Sequence, residues 1–233
     1  MRQEAVTRNR ERYDQAFALL DEVRAKVLAL LRTLTQAQAG KRPAENEWSI
    51  AEIADHLALT ERAYMAGVAD LAANADPNKF DYDEVLRSRR FRIEDLGDPA
   101  ITGKFATPPQ LLPTAGKPLP DLFRALDEAR SQSKRILLPY RDQDLGIRFF
   151  HHPKVGPITL YERMANIAYH ELKHLRQMER TLARLGGDAS PRSGPISTYE
   201  NGHTRAGGCA WPGERSEPSR HRSDTEVSPF RNA

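Results

Sequence analysis

The sequence has a single cysteine, Cys209, so a disulfide-stapled fold is excluded and nothing points to an oxidising compartment. It also lacks any run of 18 apolar residues, which excludes a membrane-spanning helix and leaves no membrane partner to expect. The first twelve residues are charged and carry no apolar stretch of the signal-peptide kind, so the expected location is the cytoplasm. Charge of one sign is scarce too: 35 Lys and Arg stand against 32 Asp and Glu, interspersed, for a net charge of +3. Aromatic residues make up 7% of the chain and do not interleave with a basic patch, so no nucleic-acid partner is expected. No internal repeat of fixed period is present.

What is present is helical periodicity. Residues 4–34 place Val6, Tyr13, Phe17, Leu20, Val27, Leu31 and Leu34 on one stripe at steps of three, four and seven. Gly40 and Pro43 end that pattern. Ser49-Ile50-Ala51-Glu52 reads as a capping box opening a second helix to about Ala73, with Ile50, Ile53, Ala54, Leu57, Tyr64, Val68 and Leu71 on its apolar face. Trp48 stands just before the cap, where it can pack onto the first turn. His56 lies at the border of this face, and Glu61 falls within the stripe, an odd place for a charge.

Residues 74–118 are punctuated by proline and glycine. A short helix around Asp83–Leu96 fits the pattern, and so long a connector is a candidate lid or pocket wall. A third helix begins near Asp121 beside Pro120 and ends at Pro139. After a connector over 139–157 that carries His151 and His152, Thr159-Leu160-Tyr161-Glu162 forms another capping box. It opens a fourth helix whose stripe runs through Leu160, Met164, Ile167, Leu175, Met178, Leu182 and Leu185, stopped by Gly186-Gly187.

The expected fold is therefore all-α, a four-helix bundle over residues 1–187 with a long crossover between its second and third helices. Residues 188–233 are rich in Ser, Pro, Gly and Arg and lack hydrophobic periodicity, which predicts a disordered tail. His203, Cys209 and His221 lie there and are set aside as site residues.

The candidate chemistry centres on the fourth helix, in Tyr169-His170-Glu171-Leu172-Lys173-His174. Histidines four apart share a helix face about 6 Å apart in rise, so two imidazoles can converge on one ion. His56, at the edge of the second helix's stripe, is the candidate third ligand. Three neutral imidazoles suit Zn²⁺ or Ni²⁺ and leave positions open. Spacing alone leaves open a surface pair and a satisfied helix-face histidine. Glu61 and Glu171 project toward the core; they are candidates for orienting a histidine or serving as a base, and equally for pairing with Arg or Lys across the bundle. His152 is a candidate at the site mouth or a loop cap beside Pro153, Gln177 a polar neighbour one turn after His174, and Tyr64 a hydroxyl for the pocket or a core residue.

The segment Trp48-Ser49-Ile50-Ala51-Glu52-Ile53-Ala54-Asp55-His56-Leu57 resembles the second-helix motif of the DinB-like, or YfiT-like, family of metal-dependent four-helix-bundle enzymes. His152-Pro153, Gly156-Pro157-Ile158-Thr159 and His170 to Gln177 resemble that family's loop and fourth helix, so the resemblance spans about residues 5–186. It implies a divalent metal on His56, His170 and His174. It also implies activation of a low-molecular-weight thiol toward an electrophilic small molecule, as in the bacillithiol S-transferases and the mycothiol-dependent maleylpyruvate isomerase. The alternatives are a metal-dependent hydrolase and a bundle that binds a ligand without catalysis; a homodimer is a candidate assembly.

Overall fold

The computed structural model describes residues 2–74, 84, 107–152 and 156–186. Apart from Glu84, the short helix expected around Asp83–Leu96 lies outside these residues, as do most of the connector over 74–118 and the tail over 188–233. Helix α1 spans Arg2–Arg32, the short α2 Gln36–Gly40, α3 Ile50–Asn74, α4 Leu119–Leu137 and α5 Leu160–Leu185. The four long helices form the bundle.

Local chemistry sets these boundaries. At the start of α3 the Ser49 Oγ accepts the Glu52 N–H at 3.2 Å, while the Glu52 carboxylate accepts the Ser49 N–H at 2.8 Å. Thr159 and Glu162 exchange the same pair of bonds at 3.1 and 2.7 Å to open α5. Pro120 sits in the first turn of α4, where its missing N–H has no partner to lose. Gly186 closes α5 by donating its N–H to the Leu182 carbonyl at 2.9 Å.

Two elements differ from the sequence reading. The stretch after α1 holds α2, opened by a capping box between Thr35 and Gln38. The connector before α5 holds an antiparallel hairpin of β1, Phe149–His152, and β2, Gly156–Thr159, with Phe149 opposite Thr159 and His152 opposite Gly156. The aromatic pair Phe149-Phe150 in β1 and the β-branched pair Ile158-Thr159 in β2 favour that pairing over a loop. The hairpin packs on α5.

Helix α5 packs on α1 and α3, α3 packs also on α4, and α4 touches α1 more thinly. Helices α1 and α3, consecutive among the long helices, therefore lie across the bundle from each other, which a plain up-and-down order of neighbours would not give.

The apolar core is in two parts. One cluster gathers Tyr13, Phe17, Leu20, Met65, Val68, Leu137, Leu160, Met164 and Ile167. The other gathers Val27, Leu31, Ile50, Ile53, Leu57, Leu122, Leu126, Leu175 and Met178. Between them every long helix places one charge on its inward stripe: Arg24, Glu61, Arg130 and Glu171, all buried. Arg24 Nη2 donates to Glu61 at 2.7 Å, Arg130 Nε to Glu61 at 2.7 Å and Ser133 Oγ to Glu61 at 3.0 Å. Arg24 also grips Glu171 through its Nε and donates to the Leu126 carbonyl at 2.7 Å, and Arg130 reaches Asp21 at 2.7 Å. Two cations and two anions cancel, which is what lets a charged layer sit inside a core. Burial works to raise the Glu61 pKa, but Arg130 and Arg24 outweigh it and hold the carboxyl below its usual range. For Glu171 burial wins over the same arginines and pushes the carboxyl up.

Candidate metal centre

The site is built where α3 and α5 meet beside the segment that precedes α4. Helical spacing carries His170 and His174 onto one face of α5, and α3 delivers His56 against them. The ring centroids lie 4.5 Å apart for His170 and His174, 4.9 Å for His56 and His174, and 5.4 Å for His56 and His170. One ring nitrogen from each of the three lies within 4.8 Å of the others. His56 and His174 are buried, 4% and 9% exposed, and His170 is half-buried. His56 thus sits deeper than the edge position its helical phase suggests, because Trp48 covers it: the indole ring lies 4.9 Å from the His56 ring and 6.5 Å from that of His174.

Hydrogen bonds fix which nitrogens face inward. A carbonyl can only accept, so His56 Nδ1–H donates to the Leu111 oxygen at 2.8 Å and its Nε2 keeps a bare lone pair. The Thr60 hydroxyl stands 3.4 Å from that Nε2. His174 Nδ1 donates to the Gln177 carbonyl oxygen at 2.9 Å, which likewise bares its Nε2. That nitrogen lies 3.2 Å from His170 Nε2. Two imidazole nitrogens sharing a tetrahedral ion at about 2.0–2.1 Å stand about 3.3 Å apart. The pair on α5 is already spaced for a common ion, and His56 has the tautomer to join it.

The rings are also kept neutral, as a ligand must be. Burial drives the His174 pKa down to about 4, helped by the neighbouring His56. Burial and the proximity of His174 and His56 take His170 well below its ordinary value. His56 is lowered chiefly by burial. Lys173 and Arg163 add positive potential at His170. The Arg163 guanidinium lies 4.0 Å over the Tyr64 ring, which in turn is 6.2 Å from the His170 ring. Three neutral nitrogen donors with cations nearby leave an ion's charge uncompensated and favour an anion beside it.

The family model described as the DinB superfamily matches residues 19–178, the span that carries all three histidines. The chain belongs to the DinB superfamily. This DinB-superfamily chain is 23% identical over 164 residues to the uncharacterized protein YuaE of Bacillus subtilis (strain 168), covering 70% of this chain and 94% of YuaE. Two solved structures are similar. One is TT2238, a four-helix bundle protein, with 23% identity, a TM-score of 0.43 and coverage of 72% of this chain and 98% of that one. The other is YfiT from Bacillus subtilis, described as a probable metal-dependent hydrolase with an unusual four-helix bundle topology, with 19% identity, a TM-score of 0.46 and coverage of 74% and 87%.

The two carboxylate candidates part company with the triad. Glu61 and Glu171 take the second of the two roles open to them, pairing with arginines across the bundle. Among the described residues neither carboxylate bonds a triad histidine. The sequence offered the reason: Arg24 stands four after Leu20 and three before Val27, so it had to point inward toward them. His152 pairs through its backbone with Gly156, and its side chain lies outside the described residues. Gln177 holds the place expected for it. The contacts missed at the sequence level are the Leu111 carbonyl and the Trp48 cover. A backbone oxygen 55 positions away carries no sequence signal, whereas a tryptophan before the cap of a histidine-bearing helix does.

Proposed function

We propose that this protein is a metal-dependent enzyme that transfers a low-molecular-weight thiol to an electrophilic carbon. The observation that carries the metal reading is the convergence of His56, His170 and His174 with the Nδ1 atoms of His56 and His174 already engaged by Leu111 and Gln177. A divalent cation, Zn²⁺ or Ni²⁺, on these nitrogens would supply one thing, a preference for the ionised form of a small thiol, which is the nucleophile. The described residues include no cysteine, so the sulfur belongs to the substrate.

The chain's own groups do the rest. Arg163 and Lys173 add positive potential that draws an anion to the site. Trp48 keeps water from the buried side of His56 and His174. The S–H bond gives up its proton, an S–C bond forms and the carbon releases its leaving group. Glu61 and Glu171 are occupied by arginines, and the sequence offers His152, in the hairpin before α5, as a further candidate to accept the thiol proton. The resemblance to thiol-transferring enzymes favours transfer; the same donor set serves hydrolysis, with water in place of the thiol.

The test is a panel of small thiols with a reactive haloarene or an epoxide, using metal-loaded protein and the His56→Ala variant. Thiol consumption that needs both metal and His56 is expected. Metal-dependent ester or amide cleavage with no thiol consumed would make the protein a hydrolase.

A further inference from the structure

The histidine triad leaves unexplained why the Leu111 carbonyl lies where it does. Leu111 belongs to no long element. It ends a short 3₁₀ turn, Pro109–Leu111, and the chain then runs without helix or strand to the start of α4 at Leu119. A backbone oxygen in such a segment needs an anchor if it is to hold a ring nitrogen at 2.8 Å.

The anchor is Asp55, the residue before His56. Its side chain is 1% exposed on α3, and both oxygens are used by this one segment. Asp55 Oδ2 accepts the Thr114 backbone N–H at 2.8 Å, and Oδ1 accepts Lys117 Nζ at 2.6 Å. Gly116, at φ +77, makes the turn that brings Lys117 back over the carboxylate, a conformation glycine adopts without strain. Further on, Gln36 of α2 accepts the Leu119 N–H at 2.7 Å and donates to the Lys117 carbonyl at 3.2 Å. Residues 111–119 are thus strapped to α3 at Asp55 and to α2 at Gln36. The buried Leu111 side chain fixes the near end, and its carbonyl meets His56.

We infer that Asp55 is a positioning residue of the site: it holds the 111–117 strap so that the Leu111 carbonyl locks His56 in the Nδ1–H tautomer with Nε2 free. The inference rests on the metal reading of the triad for its consequence, but not for its geometry. Consecutive residues on α3 divide the work. His56 turns toward α5, while Asp55, about 100° away round the helix, secures the segment that orients His56. Partners that fix a ligand's ring are worth about 10–100-fold in metal affinity when lost.

The experiment has two readouts. Long-range ¹H–¹⁵N spectra of metal-free protein report which His56 nitrogen carries the proton, and zinc titration with a competing chelator reports affinity. Wild type should show His56 as Nδ1–H. Asp55→Ala should move His56 toward the Nε2–H form and weaken zinc by about 10–100-fold, with helicity unchanged by circular dichroism. Asp55→Asn keeps an acceptor for the Thr114 N–H but loses the Lys117 ion pair, so it should shift both readouts in the same direction as Asp55→Ala and by a clearly smaller factor. If Asp55→Ala does not fold, Lys117→Met at a half-exposed loop position carries the test and shifts both readouts the same way by a smaller factor. An unchanged tautomer in the folded Ala or Met variant, or an Asn variant as impaired as Ala, overturns the assignment. Absence of zinc binding by wild type overturns the metal reading instead, and the tautomer result still decides the strap.

Discussion

Replacing Glu61 by Gln should destabilise the bundle more than almost any other isosteric change. Glu61 is 1% exposed and accepts from Arg24, Arg130 and Ser133 at 2.7, 2.7 and 3.0 Å. The amide removes the charge, and its NH₂ group faces guanidinium donors. The buried layer passes from two cations and two anions to two cations and one anion. Opposite charges 4 Å apart are worth about 4 kcal/mol at an effective dielectric of 20. Two such contacts are weakened, while the cost of burying the Glu61 charge is recovered. The net loss expected for breaking one partner of a buried pair is about 3–5 kcal/mol, a large share of the roughly 5–15 kcal/mol that holds a domain folded. Urea unfolding should show it as a fall in midpoint of about 2 M at a slope near 2 kcal/mol/M. Arg130→Met in the same chain restores neutrality between Arg24 and Glu171, so the double variant should be less damaged than the sum of the singles by about 1–3 kcal/mol. Zinc affinity of the folded Glu61→Gln protein should match wild type, since the carboxylate does not touch the triad. A single-variant loss below about 1 kcal/mol, or strictly additive singles, would refute the neutral-layer reasoning.

Acid should weaken the metal-free fold through its buried histidines, His174 above all. His174 holds a pKa of about 4 when folded against about 6.5 unfolded, so between those values only the unfolded chain carries the proton. Stability is complete above pH 6.5 and falls by about 3 kcal/mol as pH drops toward 4; urea midpoints at pH 7.5 and 4.5 check this, and a His174→Gln variant with the same slope would contradict it. Thr159→Ala removes the hydroxyl that caps α5 at Glu162 and should cost about 1 kcal/mol by the same urea assay, with an unchanged midpoint as the contrary result. The composition after Gly187 predicts that deleting residues 188–233 leaves thermal stability and metal binding as they were; a loss of either counts against it.

Much of the scaffold was legible because its causes are local. Ser49 with Glu52 and Thr159 with Glu162 mark two helix starts through atoms three residues apart, and the stripes of α1, α3, α4 and α5 repeat within a turn. His170 and His174 share a helix face by spacing, and the resemblance of the residues around them is what singled them out as ligands. Thr35 and Gln38 form the same signature at α2 but over so short a helix that no stripe accompanies it. The polar layer was half visible. Glu61 and Glu171 stood out as charges projecting toward the core, and Arg24 holds an inward phase on α1, but which carboxylate each of Arg24 and Arg130 meets is set only when the helices lie side by side. The Leu111 contact depends on segments 55 positions apart meeting across the fold, which no local pattern encodes, whereas the hairpin is local but its strands of four residues are too short for an alternation to show.

The central claim is that His56, His170 and His174 together hold one divalent ion. Mass-spectrometric metal analysis of untagged protein, loaded with zinc or nickel and then desalted, tests it most directly. The account predicts about one ion per chain in wild type, a number fixed by the single triad among the described residues. It predicts loss of most of that metal in His174→Ala, with the helical spectrum intact. Undiminished metal in His174→Ala, or none in wild type, would contradict it.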